Sequence, residues 1–207
     1  MNVTKKRVAV LISGRGSNMV ALIEAAKDFD YPAEIISVIS NRPDAGGLAL
    51  ATSHGIPARV IPHKSFDSRE AHDAAIDAAL DAARPDIVCL AGYMRIMTPT
   101  LISKWQGRMI NIHPSLLPQF PGLHTHERAI QAQVSEHGCS VHFVTLGMDE
   151  GPVIGQARVP VMPGDTPETL SCRVLVAEHQ LYPAALRLVA EGKVHMEGGQ
   201  SVFSKAA

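Results

Sequence analysis

Val8-Ala9-Val10-Leu11-Ile12-Ser13-Gly14-Arg15-Gly16-Ser17-Asn18 passes from an unbroken apolar run straight into a glycine-rich turn. A half-exposed strand alternates apolar and polar residues, so an unbroken run reads as a central strand covered on both faces. Residues 19–27 follow with a helical pattern, and strand, glycine turn, helix is the opening of a βαβ unit. Outward from it the pattern repeats. Residues 34–40 predict a second strand, 45–53 a helix and 59–61 a short third strand. A helix over 68–83 takes Asp67 as its cap, Glu70 for a capping box and positions 71, 74, 75, 78, 79 and 82 as its packing stripe. Residues 87–91 form a fourth strand, Thr98-Pro99 opens a helix to about Trp105, and 108–112 make a fifth strand. Residues 124–133 read as helical, and 140–145 and 153–161 as an antiparallel pair. A long helix over 168–191, kinked at Pro183, and an edge strand over 193–203 complete the order. The expected fold is α/β: one domain over 1–207, built on an open, mostly parallel Rossmann-like sheet with helices on both faces and an antiparallel C-terminal extension.

Composition narrows the partners. Of 207 residues, 46% are hydrophobic and 19% charged, with nineteen basic against twenty acidic residues for a net charge of −1. That balance offers no electrostatic footprint for nucleic acid or a membrane surface. Cys89, Cys139 and Cys172 form no C-x-x-C pair and read as buried thiols in a reducing compartment. The basic residues near the N-terminus precede an apolar run too short for a signal peptide, and no stretch approaches the ~18 apolar residues of a membrane span. The expectation is a cytoplasmic chain, monomer or homodimer.

Ligands of open α/β sheets bind outside the carboxyl ends of the strands, and three such ends carry unusual turns. The first, Gly14 to Asn18, lacks the third glycine of a dinucleotide fingerprint, since Met19 stands there. The second strand ends in Ser40-Asn41 rather than an acid, and no G-K-[ST] follows the glycines. What remains is a helix N-terminus with Ser17 and Asn18, a cradle for one phosphate ester, or else only a tight turn. The second, Gly92-Tyr93-Met94-Arg95-Ile96-Met97, could line a flat aromatic ligand and offer Arg95 to a carboxylate, or simply bury apolar residues beside a snorkelling arginine.

The third is Asn111-Ile-His-Pro-Ser-Leu-Leu-Pro-Gln-Phe-Pro-Gly-Leu-His-Thr-His126, where Pro114, Pro118 and Pro121 exclude a continuous helix or central strand. Asn111 and His113 are two donors two residues apart in an extended segment, suited to a developing oxyanion; the plain alternative is a strand end with a capped core histidine. Asp149 lies in a glycine-rich turn, where an aspartate commonly caps backbone N–H groups; placed against His113 it would favour the charged, donating imidazole. The histidines at 113, 124, 126, 137 and 142 contain no H-E-x-x-H, and there is no G-x-S-x-G, so neither a metal nor a covalent nucleophile is expected.

Six motifs stand in order: Ser13-Gly-Arg-Gly-Ser-Asn18, Leu90-Ala-Gly-Tyr-Met-Arg95, Asn111-Ile-His-Pro-Ser-Leu-Leu-Pro118, Pro121-Gly-Leu-His-Thr-His126, Gly138-Cys-Ser-Val-His142 and Asp149-Glu-Gly-Pro152. Together they closely resemble the folate-dependent formyltransferases, over essentially the whole chain. The resemblance implies direct attack of the amine of glycinamide ribonucleotide on the formyl carbon of 10-formyltetrahydrofolate, as a step of purine synthesis. It implies that Asn111 and His113 stabilise the oxyanion and that Asp149 keeps His113 protonated. Gly16, Ser17 and Asn18 would take the phosphate, and Glu178 the ribose hydroxyls. Arg69, Met94, Arg95, Ile96, Met97 and Asn111 would bind the folate, with Val144 to Asp149 around the pterin; His142 and Ser140 would be supports. On this resemblance 1–105 is the phosphate-binding half and 106–207 the catalytic and folate-binding half. Leu146 departs from the family pattern, which often carries an acid there. The rivals are a formyltetrahydrofolate hydrolase, in which water replaces the amine and which usually carries an added N-terminal domain, and a non-catalytic phospho-ligand binding module.

Overall fold

The computed structural model describes residues 4–204. Met1, Asn2 and Val3 of the basic N-terminal stretch lie outside the described residues. The chain order is β1 (Lys6–Ile12), α1 (Ser17–Ala26), β2 (Ala33–Ser40), α2 (Gly47–Ser53), β3 (Ala58–Val60), α3 (Arg69–Ala83), β4 (Ile87–Leu90), α4 (Pro99–Lys104) and β5 (Met109–His113). It continues with α5 (Thr125–Gln131), β6 (Glu136–Phe143), β7 (Val153–Pro160), α6 (Pro167–Ala190), β8 (Val194–Glu197) and β9 (Gln200–Phe203). Seven strands form one sheet in the order β3-β2-β1-β4-β5-β6-β7. The first five pair in parallel, and β6 and β7 add antiparallel. The chain winds outward from β1 to β3 and restarts at β4, so the topological switch point lies between β1 and β4, where a crevice opens.

The apolar run of β1 is buried on both sides because helices cover both faces. Val8, Val10 and Ile12 join α1 and α6 through Met19, Leu22, Leu170 and Val174. Ala9 and Leu11 point the other way, to Ile76 and Leu80 of α3 and Leu101 and Trp105 in and after α4. Burial of side chains this size contributes about 1.5–3 kcal/mol each, so the two layers carry most of the fold's stability. Tyr182 on α6 is fully buried and donates its hydroxyl to the Leu90 and Ile110 carbonyls (3.0 and 3.2 Å), which ties the helix across β4 and β5.

Several local expectations are corrected. Ser68, not Asp67, caps α3: its hydroxyl accepts from Ala71 N–H at 3.0 Å, which moves Glu70 out of capping-box register. Of the expected stripe only Ala79 is buried; the rest of the buried face of α3 is His72, Asp73, Ile76 and Leu80. The larger apolar side chains decide which face turns inward, because more area leaves water that way. β6 begins at Glu136, earlier than expected, since His137, Gly138 and Cys139 pair with β7. The C-terminal edge strand is instead a separate hairpin, β8 and β9, turned by Gly198 and Gly199 at φ 56° and 78°. Cys89 and Cys139 are buried, but Cys172 is exposed. No helix among the described residues is long and apolar enough to cross a membrane.

Candidate active site

The ends of β1, β2 and β4 are stitched by Ser13. Its hydroxyl donates to Asn41 Oδ1 (2.6 Å) and accepts from Met94 N–H (2.8 Å), while its own N–H donates to Gly92 O (3.1 Å). Gly16 then caps α1 in the left-handed region at φ 79°, and a Cβ there would stand 2.8 Å from Gly47 Cα. Both facts require glycine. No side chain caps α1 and its first turn holds no acid, so the N–H groups of Ser17, Asn18 and Met19 point outward without intrahelical acceptors. Glu178 arrives at the same corner from α6, accepting from Asn18 Nδ2 at 2.7 Å. Burial pushes the Glu178 carboxyl above its usual range, partly offset by that hydrogen bond.

Alternation along β5 sends Asn111 and His113 to one face, and the antiparallel register sets His142 opposite Asn111 and Ser140 opposite His113. His142 Nδ1–H donates to Phe143 O (2.9 Å), which leaves Nε2 bare to accept from Asn111 Nδ2 (3.2 Å). Burial holds the His142 imidazole below the usual histidine range, in agreement with this neutral tautomer. The amide of Asn111 is thereby oriented by a histidine that acts as an acceptor.

His113 is buried between two acceptors. Its Nε2–H donates to Phe120 O at 3.0 Å, and Nδ1 lies 3.4 Å from Asp149 Oδ2. Nε2–H is thereby taken by the loop carbonyl, while Nδ1, near Asp149 but closing no hydrogen bond on it, remains open to a ligand. Asp149 Oδ2 also accepts from Gly122 N–H (2.8 Å), and Oδ1 lies 3.8 Å from His142 Nε2. The carboxylate thus spans the proline loop and both histidines. Its turn reaches them because a register shift at Val141/His142 bends the β6–β7 pair, and Phe143 N–H closes the turn by donating to Pro152 O (2.9 Å). Gly151 permits that approach, since a Cβ there would collide with the Phe143 carbonyl.

Around this set Met94, Ile96, Leu123, Leu146 and Met148 are all exposed, on the loops after β4, β5 and β6. Apolar side chains left exposed together are the kind of surface that ligands cover. The side chains of Met97 and Val144 belong to the core with α3 and α4, so only their backbones remain for a ligand. Arg95 is half-buried, and its Nε is buried without a partner. Arg69 is exposed at the start of α3, one turn before Asp73, whose carboxylate accepts from Thr98 N–H at 2.6 Å. The open N–H groups of α1, the Asn111, His113 and Asp149 group and the exposed apolar side chains therefore all lie along the strand ends at one edge of the sheet. Two other concavities, of about 380 and 460 Å³, lie by Arg7, Arg59 and Arg84 and by Leu117, Gln119 and Arg158; neither includes Asn111, His113 or Asp149.

The remaining histidines of the loop do not converge. His124 is largely exposed beside Glu127 (3.8 Å), whereas His126 packs edge-on against His137 at 5.2 Å. No cluster of three potential metal ligands occurs among the described residues. Burial, and then the neighbouring His126, lowers the His137 imidazole from 6.5 to about 4. Between those values the unfolded chain binds a proton there that the folded chain does not, so stability is fully present above pH 6.5 and is lost as pH falls toward 4. His126 and His142 are shifted in the same direction. Thermal melts at pH 7.5 and 5.5 are expected to show a lower Tm at the acid value, with a smaller difference in His137→Asn. Equal differences in both proteins would mean that His137 is not held neutral.

A family model described as formyl transferase matches residues 6–186, nearly the whole described chain. The chain belongs to the formyl transferase family. Among curated relatives of the formyl transferase, the trifunctional purine biosynthetic protein adenosine-3 of Drosophila pseudoobscura pseudoobscura is 52% identical over 91% of this chain. The chain spans only 14% of that protein's length. Phosphoribosylglycinamide formyltransferase of Escherichia coli (strain K12) is 47% identical, over 91% of this chain and 89% of its own. The crystal structure of phosphoribosylglycinamide formyltransferase from Brucella melitensis superposes with a TM-score of 0.87 at 56% identity, over 90% of this chain and 96% of that one.

Leu123 carries no role in the sequence-based expectations; its signal is that of an apolar residue inside a glycine- and proline-rich turn that nothing buries. Met148, within the Val144 to Asp149 segment expected around the pterin, is likewise exposed. Leu146, marked as a departure from the family pattern, is exposed on the same rim.

Proposed function

We propose that this formyl transferase moves the formyl group of 10-formyltetrahydrofolate to the primary amine of glycinamide ribonucleotide. The observation that carries the reading is the placing of His113, Asn111 and Asp149 on one strand-end face between an anion cradle and an apolar rim. The phosphate of the nucleotide sits on the N–H groups of Ser17 and Asn18 after Gly16, and Glu178 accepts from the ribose hydroxyls. The pterin lies along Met94 to Met97, Asn111 and the Val144 to Asp149 turn, and Arg69 and Arg95 face the carboxylate tail.

The amine nitrogen attacks the formyl carbon, and the carbonyl π electrons move to oxygen. The second Asn111 Nδ2–H and the Nδ1–H of protonated His113, whose Nε2–H stays on Phe120 O, hold that oxyanion. The proton lost by the attacking nitrogen passes by way of Asp149 to the folate nitrogen as its bond to carbon breaks, so the products are the formamide and tetrahydrofolate. No covalent enzyme intermediate is needed.

An absorbance assay of tetrahydrofolate release tests the reading. Release is expected only when glycinamide ribonucleotide is present, in equal amount to formylated product. Release at the same rate without the amine would assign the site to hydrolysis, and binding of both ligands without release would leave only a binding module.

A further inference from the structure

His113, Ser140 and Gln156 stand in one cross-strand row: His113 on β5 faces Ser140 on β6, which faces Gln156 on β7. Residues directly opposite one another project from the same face of a sheet. The row therefore links the buried imidazole to the outer edge of the fold. What joins its members is the proline loop. Gln156 Nε2 donates to Leu117 O and to Ser140 Oγ, both at 2.8 Å. Ser140 Oγ in turn accepts from Leu117 N–H (3.0 Å) and donates to Ser115 O (2.7 Å). A hydroxyl has one donor and two acceptor positions, and here all three are filled. Ser115 N–H donates to His113 O (2.9 Å) and its hydroxyl to Gln119 O (2.6 Å). The next residue, Phe120, presents the carbonyl that holds His113 Nε2–H.

Prolines 114, 118 and 121 bring no N–H, so the loop has few backbone bonds with which to tie itself to the sheet. Side chains supply the ties instead. We infer that Gln156 is a positioning residue for catalysis: through Leu117 and Ser140 it sets the proline loop so that Phe120 O keeps the His113 ring aligned with Asn111 and Asp149. Gln156 touches neither substrate nor reacting atoms. It is exposed, at the mouth of the 460 Å³ concavity behind the loop, so water reaches Leu117 O when the amide is removed. Its loss should therefore disturb geometry more than stability, and small misplacements of a catalytic group are costly.

The kinetic part of the test rests on the formyl-transfer reading. In the full chain, Gln156→Ala and the size-matched Gln156→Met are expected to lower kcat about tenfold, with KM for each substrate within about twofold. Arg158→Ala, on the same edge and paired with Glu136 at 2.8 Å, is expected to leave kcat unchanged. Nitrogen-15-correlated NMR without substrates supplies the second readout: the His113 Nε2 proton is expected to exchange slowly in the parent, where Phe120 O accepts it, and rapidly in both Gln156 variants. Unchanged kcat in both variants overturns the inference, as does a kcat loss matched by a large loss of Tm with an unmoved His113 proton. If the parent transfers no formyl group, the activity reading fails, and the imidazole proton alone decides whether Gln156 positions His113.

Discussion

His113→Ala is expected to lower kcat by about a thousandfold while KM for the nucleotide changes little. On the proposed mechanism two contributions disappear together: a charged hydrogen-bond donor to the oxyanion and the partner against which Asp149 is set for its proton relay. Loss of an oxyanion donor typically costs 10²–10³ in rate, and loss of a positioned acid or base 10²–10⁴; acting on one intermediate, they do not multiply. The proposed nucleotide contacts at Gly16, Ser17, Asn18 and Glu178 come from the start of α1 and from α6, away from the substituted side chain. Removing the ring also frees the Phe120 carbonyl, which His113 Nε2–H engages at 3.0 Å. A melting curve therefore accompanies the rate measurement, and added imidazole should restore part of kcat by entering the vacated space. A rate within tenfold of the parent in a folded variant would remove His113 from the mechanism.

The second large effect is expected from Asp149→Asn, with kcat lowered by two to four orders of magnitude and the fold intact. The substitution is nearly isosteric, and the amide oxygen can still accept from Gly122 N–H, now held at 2.8 Å, so the turn keeps its tie to the proline loop. What changes is charge. Near His113 Nδ1 and His142 Nε2 the carboxylate offers only acceptors, at 3.4 and 3.8 Å. An asparagine can instead turn its N–H₂ toward either ring and stabilise a neutral His113 without the proton that the oxyanion requires. The pH profile separates this from a packing defect: the variant's activity relative to the parent should improve as pH falls, because solution protons then do what the carboxylate did. A ratio independent of pH, or a rate near that of the parent, would assign Asp149 to loop closure alone.

Much of this architecture was legible in local pattern. The alternating burial of β1 on two helical layers follows from its unbroken apolar run, and Gly16 is forced by a left-handed cap pressed against Gly47. Thr98-Pro99 opened α4 where expected, because cap and first-turn chemistry are matters of neighbouring residues. The failures have a different origin. Ser68 rather than Asp67 as a cap, and Ile76 and Leu80 beside Ala79 as the inward face of α3, depend on how a helix seats against a sheet that the helix does not itself encode. The C-terminal hairpin was read as one strand because two consecutive left-handed glycines are ambiguous until the chain is seen to reverse.

The candidate site divides in the same way. That Asn111 and His113 share a face, that α1 opens with free N–H groups and that unusual turns cluster at strand ends all follow from the period of a strand and the start of a helix, which are short-range properties. The pairing of Asn18 with Glu178 across 160 positions is of another kind, as are the turn that brings Asp149 over His113 and the neutral tautomer that His142 adopts beside Asn111. Hydrogen-bond geometry acts over about 3 Å, and no spacing along the chain determines which distant groups come within that range. Their meeting follows from strand order, the shift in register between β6 and β7, and the seating of α6 on the sheet.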